Sequence, residues 1–174
     1  NKDSLSINNQ GGVLNYILDI NKPLDLEVNS KKISELDPIY MKADIINDNG
    51  KVIDYNNLKL GNKLFMKVTI KSNKKIENVA VNIQIPAGLE IINPRLYKSN
   101  SQKFKNIDYS PDYEDYRDDR VLSYLTTTKK KKIFYIPLIA TTRGIFTYPA
   151  SYIEVMYDSR INSYYKPSKK IIIK

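Results

Sequence analysis

Apolar and polar residues alternate along much of the chain, with a period of two. From Leu64 to Lys71 the apolar residues Leu64, Met66, Val68 and Ile70 share one side, while Lys67, Thr69 and Lys71 point the other way. Val79, Val81, Ile83 and Ile85 repeat the pattern against Ala80, Asn82 and Gln84. Side chains on a strand project to opposite faces in turn, so each segment predicts a half-buried strand. Ser72-Asn73-Lys74-Lys75 between them reads as a hairpin loop that would pair the two antiparallel. Further predicted strands are Val13 to Ile20, Ile39 to Ile46, Val121 to Leu125, Ile133 to Ala140, Ile145 to Tyr148, Tyr152 to Met156 and Lys170 to Lys174. All are short and rich in β-branched residues and Tyr. Asn47-Asp48-Asn49-Gly50, Leu60-Gly61-Asn62 and Arg143-Gly144 supply turn chemistry between them. No segment sustains a helical apolar stripe beyond about two turns. The expected fold is all-β, an antiparallel β-sandwich with about seven strands in its main unit.

Some segments break this pattern. Pro137 lies inside the apolar run Ile133 to Ala140 and lacks a ladder donor, which predicts an edge strand or a bulge. Asn21 to Lys32 interrupts the alternation, and Leu5 to Ile20 holds too little to bury its own faces. Residues 1–30 are therefore expected to be the terminal strand of a preceding domain plus a linker, with 31–174 forming the sandwich. The stretch from Tyr97 to Tyr116 is the longest irregular one, and loops of that length in compact domains tend to be functional or disordered.

Composition narrows the chemistry. Among 174 residues there is no Cys and no His. That removes thiolate nucleophiles, disulfides, Cys/His zinc sites and histidine acid-base catalysis, so the expectation is a protein that is not an enzyme and needs no metal or cofactor. Apolar residues at 41% and 14 tyrosines suffice for a packed core without such staples. The net charge of +9 comes from 23 Lys and only 5 Arg, whereas nucleic-acid recognition leans on the planar Arg fork. It reads as a solvated surface, with no nucleic-acid partner and no membrane insertion, since no apolar run reaches the length of a span. The chain starts at Asn1 without a Met or an apolar leader, which suggests a piece of a longer protein.

Three constellations remain. Asp112, Glu114, Asp115, Asp118 and Asp119 could suggest calcium or paired-carboxylate catalysis, but the calcium-loop Gly is missing. Pairing with Arg117 and Arg120 at a strand entrance is the plainer reading. Lys129 to Lys132 could be an anionic docking patch, or a turn that keeps two strand edges soluble, and the second is preferred. The tyrosines from Tyr148 to Tyr157 and Tyr164-Tyr165 could line a groove, yet tyrosine in strands usually packs half-buried with its hydroxyl at the rim.

Four blocks occur in order: Ile85-Pro86-Ala87-Gly88-Leu89-Glu90-Ile91-Ile92-Asn93-Pro94-Arg95-Leu96, Asp115-Tyr116-Arg117-Asp118-Asp119-Arg120-Val121, Ala140 to Ala150 with Thr141-Thr142-Arg143-Gly144, and Glu154-Val155-Met156-Tyr157-Asp158-Ser159-Arg160-Ile161. Together they resemble the C-terminal macroglobulin-like, receptor-binding-type domain of bacterial alpha-2-macroglobulins. The segment from Tyr40 to Ile70 resembles that domain's opening strands, and Leu5 to Ile20 a strand returning from the thioester-bearing region.

The resemblance implies a fibronectin- or immunoglobulin-like sandwich in a broad-spectrum endopeptidase inhibitor that traps proteases. In that family a protease cuts a bait segment, the molecule rearranges, and a Cys-Gln thioester in another domain captures the attacker. Without Cys, this chain carries no thioester itself. The implied role is to pack against the thioester domain and shield the bond from water, with Met156, Tyr157 and Asp158 at the shield. Arg117, Asp118, Asp119, Arg120, Pro94 and Arg95 would be structural. Expected partners are the thioester domain and other macroglobulin domains of the same chain, and proteases through the full-length protein. The expected location is periplasmic or extracytoplasmic, on a parent that could carry a distant N-terminal lipid anchor. The alternative is an adhesion or ligand-binding sandwich of a bacterial surface protein.

Overall fold

The computed structural model describes residues 10–12, 38–92, 111–167 and 169–174. The predicted strand Val13 to Ile20, the proposed 1–30 boundary, Pro94, Arg95 and most of the Tyr97 to Tyr116 stretch lie outside the described residues. Eleven strands form among those described: β1 (Ile39–Ile46), β2 (Lys63–Ser72), β3 (Ile76–Gln84), β4 (Leu89–Ile91), β5 (Tyr113–Tyr116), β6 (Arg120–Thr127), β7 (Lys132–Ala140), β8 (Gly144–Thr147), β9 (Ser151–Val155), β10 (Asp158–Tyr165) and β11 (Lys170–Ile173). One sheet runs β1-β2-β7-β4, the facing one β10-β9-β3-β6-β5, and β11 pairs with β8 in a small third sheet. All strand pairs are antiparallel, so the expected all-β sandwich is the fold.

The core lies where the alternation places it. Met41, Ala43, Met66, Val68, Val81, Ile83, Val121, Ile136, Leu138 and Ile153 are fully buried. They belong to one cluster drawn from both large sheets. The predicted hairpin between Leu64–Lys71 and Val79–Ile85 does not form. Strand β2 pairs with β1 and β7, and β3 with β6 and β9, so Ser72 to Lys75 crosses from one sheet to the other. Period-two burial is the same for strands that face each other across a core as for strands that share a sheet, which is why the pattern misled.

Pro137 is neither on an edge strand nor bulged. Strand β7 lies between β2 and β4 and runs in unbroken register with β2. The Ile92 N–H donates to the Pro137 carbonyl at 2.9 Å. Proline has no N–H to return, and β4 ends at Ile91. Three strands were absent from the prediction because none carries a sustained apolar alternation. They are the three-residue β4, the edge strand Tyr-Glu-Asp-Tyr of β5, and β10, which buries only Ser163.

Strand β1 is an edge of its sheet, yet its outward backbone groups are used. The Ile53 N–H donates to the Ile45 carbonyl at 3.2 Å. The Tyr148 hydroxyl donates to the Ala43 carbonyl at 2.8 Å, and the Ile45 N–H reaches the Tyr55 hydroxyl at 3.4 Å. Tyr148 is fully buried, and its ring meets Tyr55 edge-on at 6.0 Å. Next along β1, the Asp44 carboxylate accepts the Tyr165 hydroxyl at 2.8 Å and an ion pair from Lys42 at 2.6 Å. Tyr148 thus ties the segment after β8 to the far edge of the sandwich. The small sheet is seated from the other side by Gly88, where an added Cβ would fall 2.7 Å from Ile173 Cδ1 and closer still to the Phe146 ring.

Two outcomes follow for stability. Tyr148→Phe strands the buried Ala43 carbonyl and should cost about 1–3 kcal/mol in urea unfolding; a midpoint equal to wild type would mean that the bond contributes nothing. Burial raises the Tyr148 hydroxyl pKa well above its ordinary value of 10.0, and burial followed by the Asp44 contact raises that of Tyr165. Below the unfolded value both states hold these protons and the stabilisation is complete. As pH climbs past that value the unfolded chain releases protons that the folded chain keeps, so stability falls until the folded groups ionise. Phenolate absorbance should therefore show at least two tyrosines that titrate only when circular dichroism reports unfolding.

Candidate functional site

Strands β9 and β10 meet at a two-residue turn, Met156-Tyr157, with Val155 opposite Asp158 as the last pair. Val155 faces the core and pairs with Val79, so the turn is carried by a central strand. The Met156 N–H donates to the Asn78 carbonyl at 2.9 Å. Asn78 has a positive φ of 55°, an angle that Asn tolerates, and sits where the β3–β6 register shifts between Ile76 and Val79. The bulge re-aims the backbone toward the turn. Beyond the turn the register shifts again: Asp158 opposes Val155, but Asn162 opposes Glu154, so Ser159 to Ile161 are extra residues on one arm.

That arm is braced rather than loose. The Arg160 guanidinium grips Asp158 with Nε–Oδ1 at 2.8 Å and Nη2–Oδ2 at 3.0 Å, and Asn162 Nδ2 donates to the Ser159 carbonyl at 2.6 Å. The hydrogen bond from Arg160 is the main reason that the Asp158 carboxyl is held below its ordinary value, and the charge of Lys74 adds to it. The turn presents two exposed side chains: Met156 is 49% and Tyr157 82% exposed. Of the three residues expected to act together, Met156 and Tyr157 form the exposed pair, and Asp158 holds the arm beneath them.

The Arg117 to Arg120 motif lies elsewhere. It forms the turn between β5 and β6, closed by the Arg117 N–H to the Arg120 carbonyl at 2.9 Å. Arg117 Nε binds Asp115 Oδ2 at 2.9 Å, and Arg120 Nη2 binds Asp119 Oδ2 at 2.6 Å. The Asp119 carbonyl accepts the Ile85 N–H at 2.8 Å, which anchors the turn to the end of β3, while Asp118 is exposed at its apex. Arg120 lies opposite Gln84, whereas Asn78 holds the Met156 turn, so the two motifs occupy opposite ends of β3. Among the described residues, no group of three or more Asp or Glu is placed to hold a metal ion.

The tyrosines pair on the outer face of the five-stranded sheet, Tyr152 with Tyr164 at 5.9 Å and Tyr113 with Tyr124 at 6.0 Å. No groove is needed to account for them. The lysine run links β6 to β7, strands of different sheets. Strand β5 pairs only with Val121 to Tyr124 of β6 and β4 only with Leu138 to Ala140 of β7, so the lysine-bearing ends of both strands are open on one side among the described residues, the setting in which charge keeps an edge soluble. The role of Asn78 was missed in the sequence, although an Asn just before an apolar alternation is a recognisable bulge signal.

The sequence match runs over the same architecture. Residues 39–159, from the first residue of β1 to just past the Met156-Tyr157 turn, match the family described as Bacterial Alpha-2-macroglobulin MG10 domain. The chain belongs to this family. The MG10 domain is 31% identical over 124 residues to alpha-2-macroglobulin of Rickettsia conorii, covering 67% of this chain and 6% of that protein. It is 30% identical over 108 residues to alpha-2-macroglobulin of Pasteurella multocida, covering 62% of this chain and 6% of the relative. The chain thus spans a small part of the curated relatives that it matches.

Solved structures share the fold. Salmonella alpha-2-macroglobulin reacted with methylamine superposes with a TM-score of 0.71 at 20% identity, over 79% of this chain and 9% of that one. Trypsin-activated alpha-2-macroglobulin from Escherichia coli gives 0.74 at 20%, over 79% and 10%. The native E. coli protein from domain MG7 to the C-terminus gives 0.72 at 19%, over 79% and 24%.

If Arg160 braces the arm, Asp158→Asn should raise amide exchange at Ser159 to Ile161 and leave the melting temperature of the domain unchanged. The same loosening should appear in the wild-type domain as pH falls below the ordinary carboxyl value of 3.8, because a lowered carboxyl stabilises only while ionised. Exchange that is unaltered by substitution and by acid, after correction for intrinsic rates, would remove the brace.

Proposed function

We propose that this MG10 domain is the non-catalytic C-terminal domain of a bacterial, alpha-2-macroglobulin-type protease inhibitor, and that it shields a thioester carried by a neighbouring domain until bait cleavage. The observation that carries the reading is the exposed Met156-Tyr157 pair on a braced turn. A polarizable thioether and an aromatic ring can cover a reactive acyl group and exclude water, while the hydroxyl bonds at the edge of the contact. Exposure of an apolar pair at a rigid tip, rather than in the core, is what a docking contact requires.

The family membership supports the trap reading, and so does the match within the E. coli segment that runs from MG7 to the C-terminus. Other macroglobulin domains of the parent would be its lateral partners, and proteases would meet it only through the whole molecule. A trap of this type belongs in the periplasm, where the parent could be held by a lipid far upstream. Arg117 to Arg120 take no part in shielding; they hold the β5–β6 turn.

The test uses the full-length parent. Met156→Ala with Tyr157→Ala should speed thioester loss to water or methylamine by about thirtyfold, the equivalent of the roughly 2 kcal/mol typical of a truncated contact anchor. Both residues are exposed in this domain, so its own melting temperature should not move. Unchanged inactivation rates in a thioester-bearing parent would sink the shielding role.

A further inference from the structure

The end of the sandwich that carries Met156 and Tyr157 also carries a run of exposed lysines. Ile76 lies opposite Thr127, so the β2–β3 crossing with Lys74 and Lys75 abuts the β6–β7 crossing with Lys129, Lys130 and Lys131. Lys132 lies opposite Ile70, which places the second crossing at the same end of the other sheet. The Met156 turn is bonded to Asn78 beside these crossings, and the charge of Lys74 reaches Asp158. Lys75 is paired with Glu77 at 2.5 Å, and Arg160 with Asp158. Lys129, Lys130 and Lys131 are exposed, and none has an ion-pair partner among the described residues.

Solubility does not call for this arrangement. Charge that serves only to keep a domain in solution is best spread and mixed in sign, whereas adjacent like charges repel and burden the fold. Edge protection accounts for only part of the run: β4 reaches no further than Leu138 and β5 no further than Tyr124, which leaves the facing ends of β6 and β7 open on one side among the described residues, but Lys129 to Lys131 lie in the crossing and not on either strand. What remains is an aromatic and thioether tip with a cationic rim, the layout of a contact whose centre supplies affinity and whose periphery supplies orientation.

We propose that the lysine rim docks onto an acidic protein surface on a neighbouring domain of the same parent chain, and that this electrostatic contact latches the Met156-Tyr157 tip in register. This inference rests on the docking reading above and adds the chemistry of the partner. A partner in the same chain is favoured by the route of the backbone. Pro38, through which the sandwich is reached from the preceding residues, lies at this same end, its carbonyl accepting from Ser72 Oγ at 3.0 Å and from the Asn73 N–H at 3.4 Å. The backbone therefore enters the sandwich at the lysine-bearing end, and a partner tethered through that backbone would act at high effective concentration.

The experiment uses the native full-length parent and carbodiimide, which couples a lysine amine directly to a carboxylate that it contacts, with the linked peptides identified by mass spectrometry. The expected links join Lys129, Lys130 or Lys131 to Asp or Glu of another domain of the same chain. They should weaken about tenfold at about 1 M salt, where the screening length shrinks to roughly 3 Å. Amide exchange of the Met156-Tyr157 turn is read in the same samples. In a Lys129→Gln, Lys130→Gln, Lys131→Gln parent the turn should exchange about three- to tenfold faster at low salt, and salt should have little further effect.

A turn that is protected in the parent, with no interdomain links and no response to salt or to the substitutions, overturns the latch and leaves the docking reading standing. A turn that is unprotected in the wild-type parent overturns both. Sedimentation of the parent with phosphatidylglycerol vesicles that depends on the three lysines, without interdomain links, would assign the rim to a membrane surface and overturn the proposal. Unchanged circular dichroism in the triple variant guards against misfolding.

Discussion

An edge strand inside a folded core presents backbone groups that must be satisfied without a neighbouring strand, and β1 is such an edge. Three separate donors and acceptors meet it: the Ile53 N–H, the Tyr55 hydroxyl and the Tyr148 hydroxyl. Leaving even one of those carbonyls bare would cost about as much as a hydrogen bond is worth in the interior. The bond from Tyr148 does more than fill a vacancy. It places the segment after β8 against β1, and from there β9 leads to the central position beside β3 that carries the Met156 turn. The tip joins the interior strand β9 to the edge strand β10, so what ties it to the core is the β9 arm and the Met156 N–H bond to the Asn78 carbonyl.

Period-two burial made the fold class and most strands legible. Met66 and Val81 are buried because every second residue of their strands is apolar, and nothing in the fold contradicts that local rule. Pairing was less legible. The alternation of β2 is satisfied equally by β3 as a neighbour or as a strand facing it, and only the packed sandwich chooses. Pro137 misled for a related reason. The cost of its missing donor depends on what lies beside it, and here the strand alongside simply stops at Ile91. Strands such as β10, which meets the core only through the half-buried Ile161 and Tyr165 on either side of Ser163, leave no sustained apolar signature to read.

The candidate site was half legible. The residue types of the Met156 turn stand out within a recognisable block, and the Asp-Arg pairing near Arg120 follows from adjacency alone. The support was hidden, because Asn78 acts through its carbonyl and its φ angle, neither of which a side-chain pattern reports. The lysine run was read one way in isolation and another once its connectivity was known. Four adjacent cations mean something different within one hairpin than where the half-open ends of two strands in opposing sheets meet.

The contact between Tyr148 and Ala43 joins residues 105 positions apart in sequence. During synthesis, β1 therefore emerges with its partner-facing side exposed and must wait for more than half the chain before its outer carbonyl is claimed. Closure over such a distance is slow, and an unpaired edge is the feature most prone to mispairing in the interval. Lys42 and Asp44, charged residues in the middle of that edge, stand where a stray strand would have to settle. The same Asp44 that later holds Tyr165 thus guards the nascent strand before Tyr165 exists.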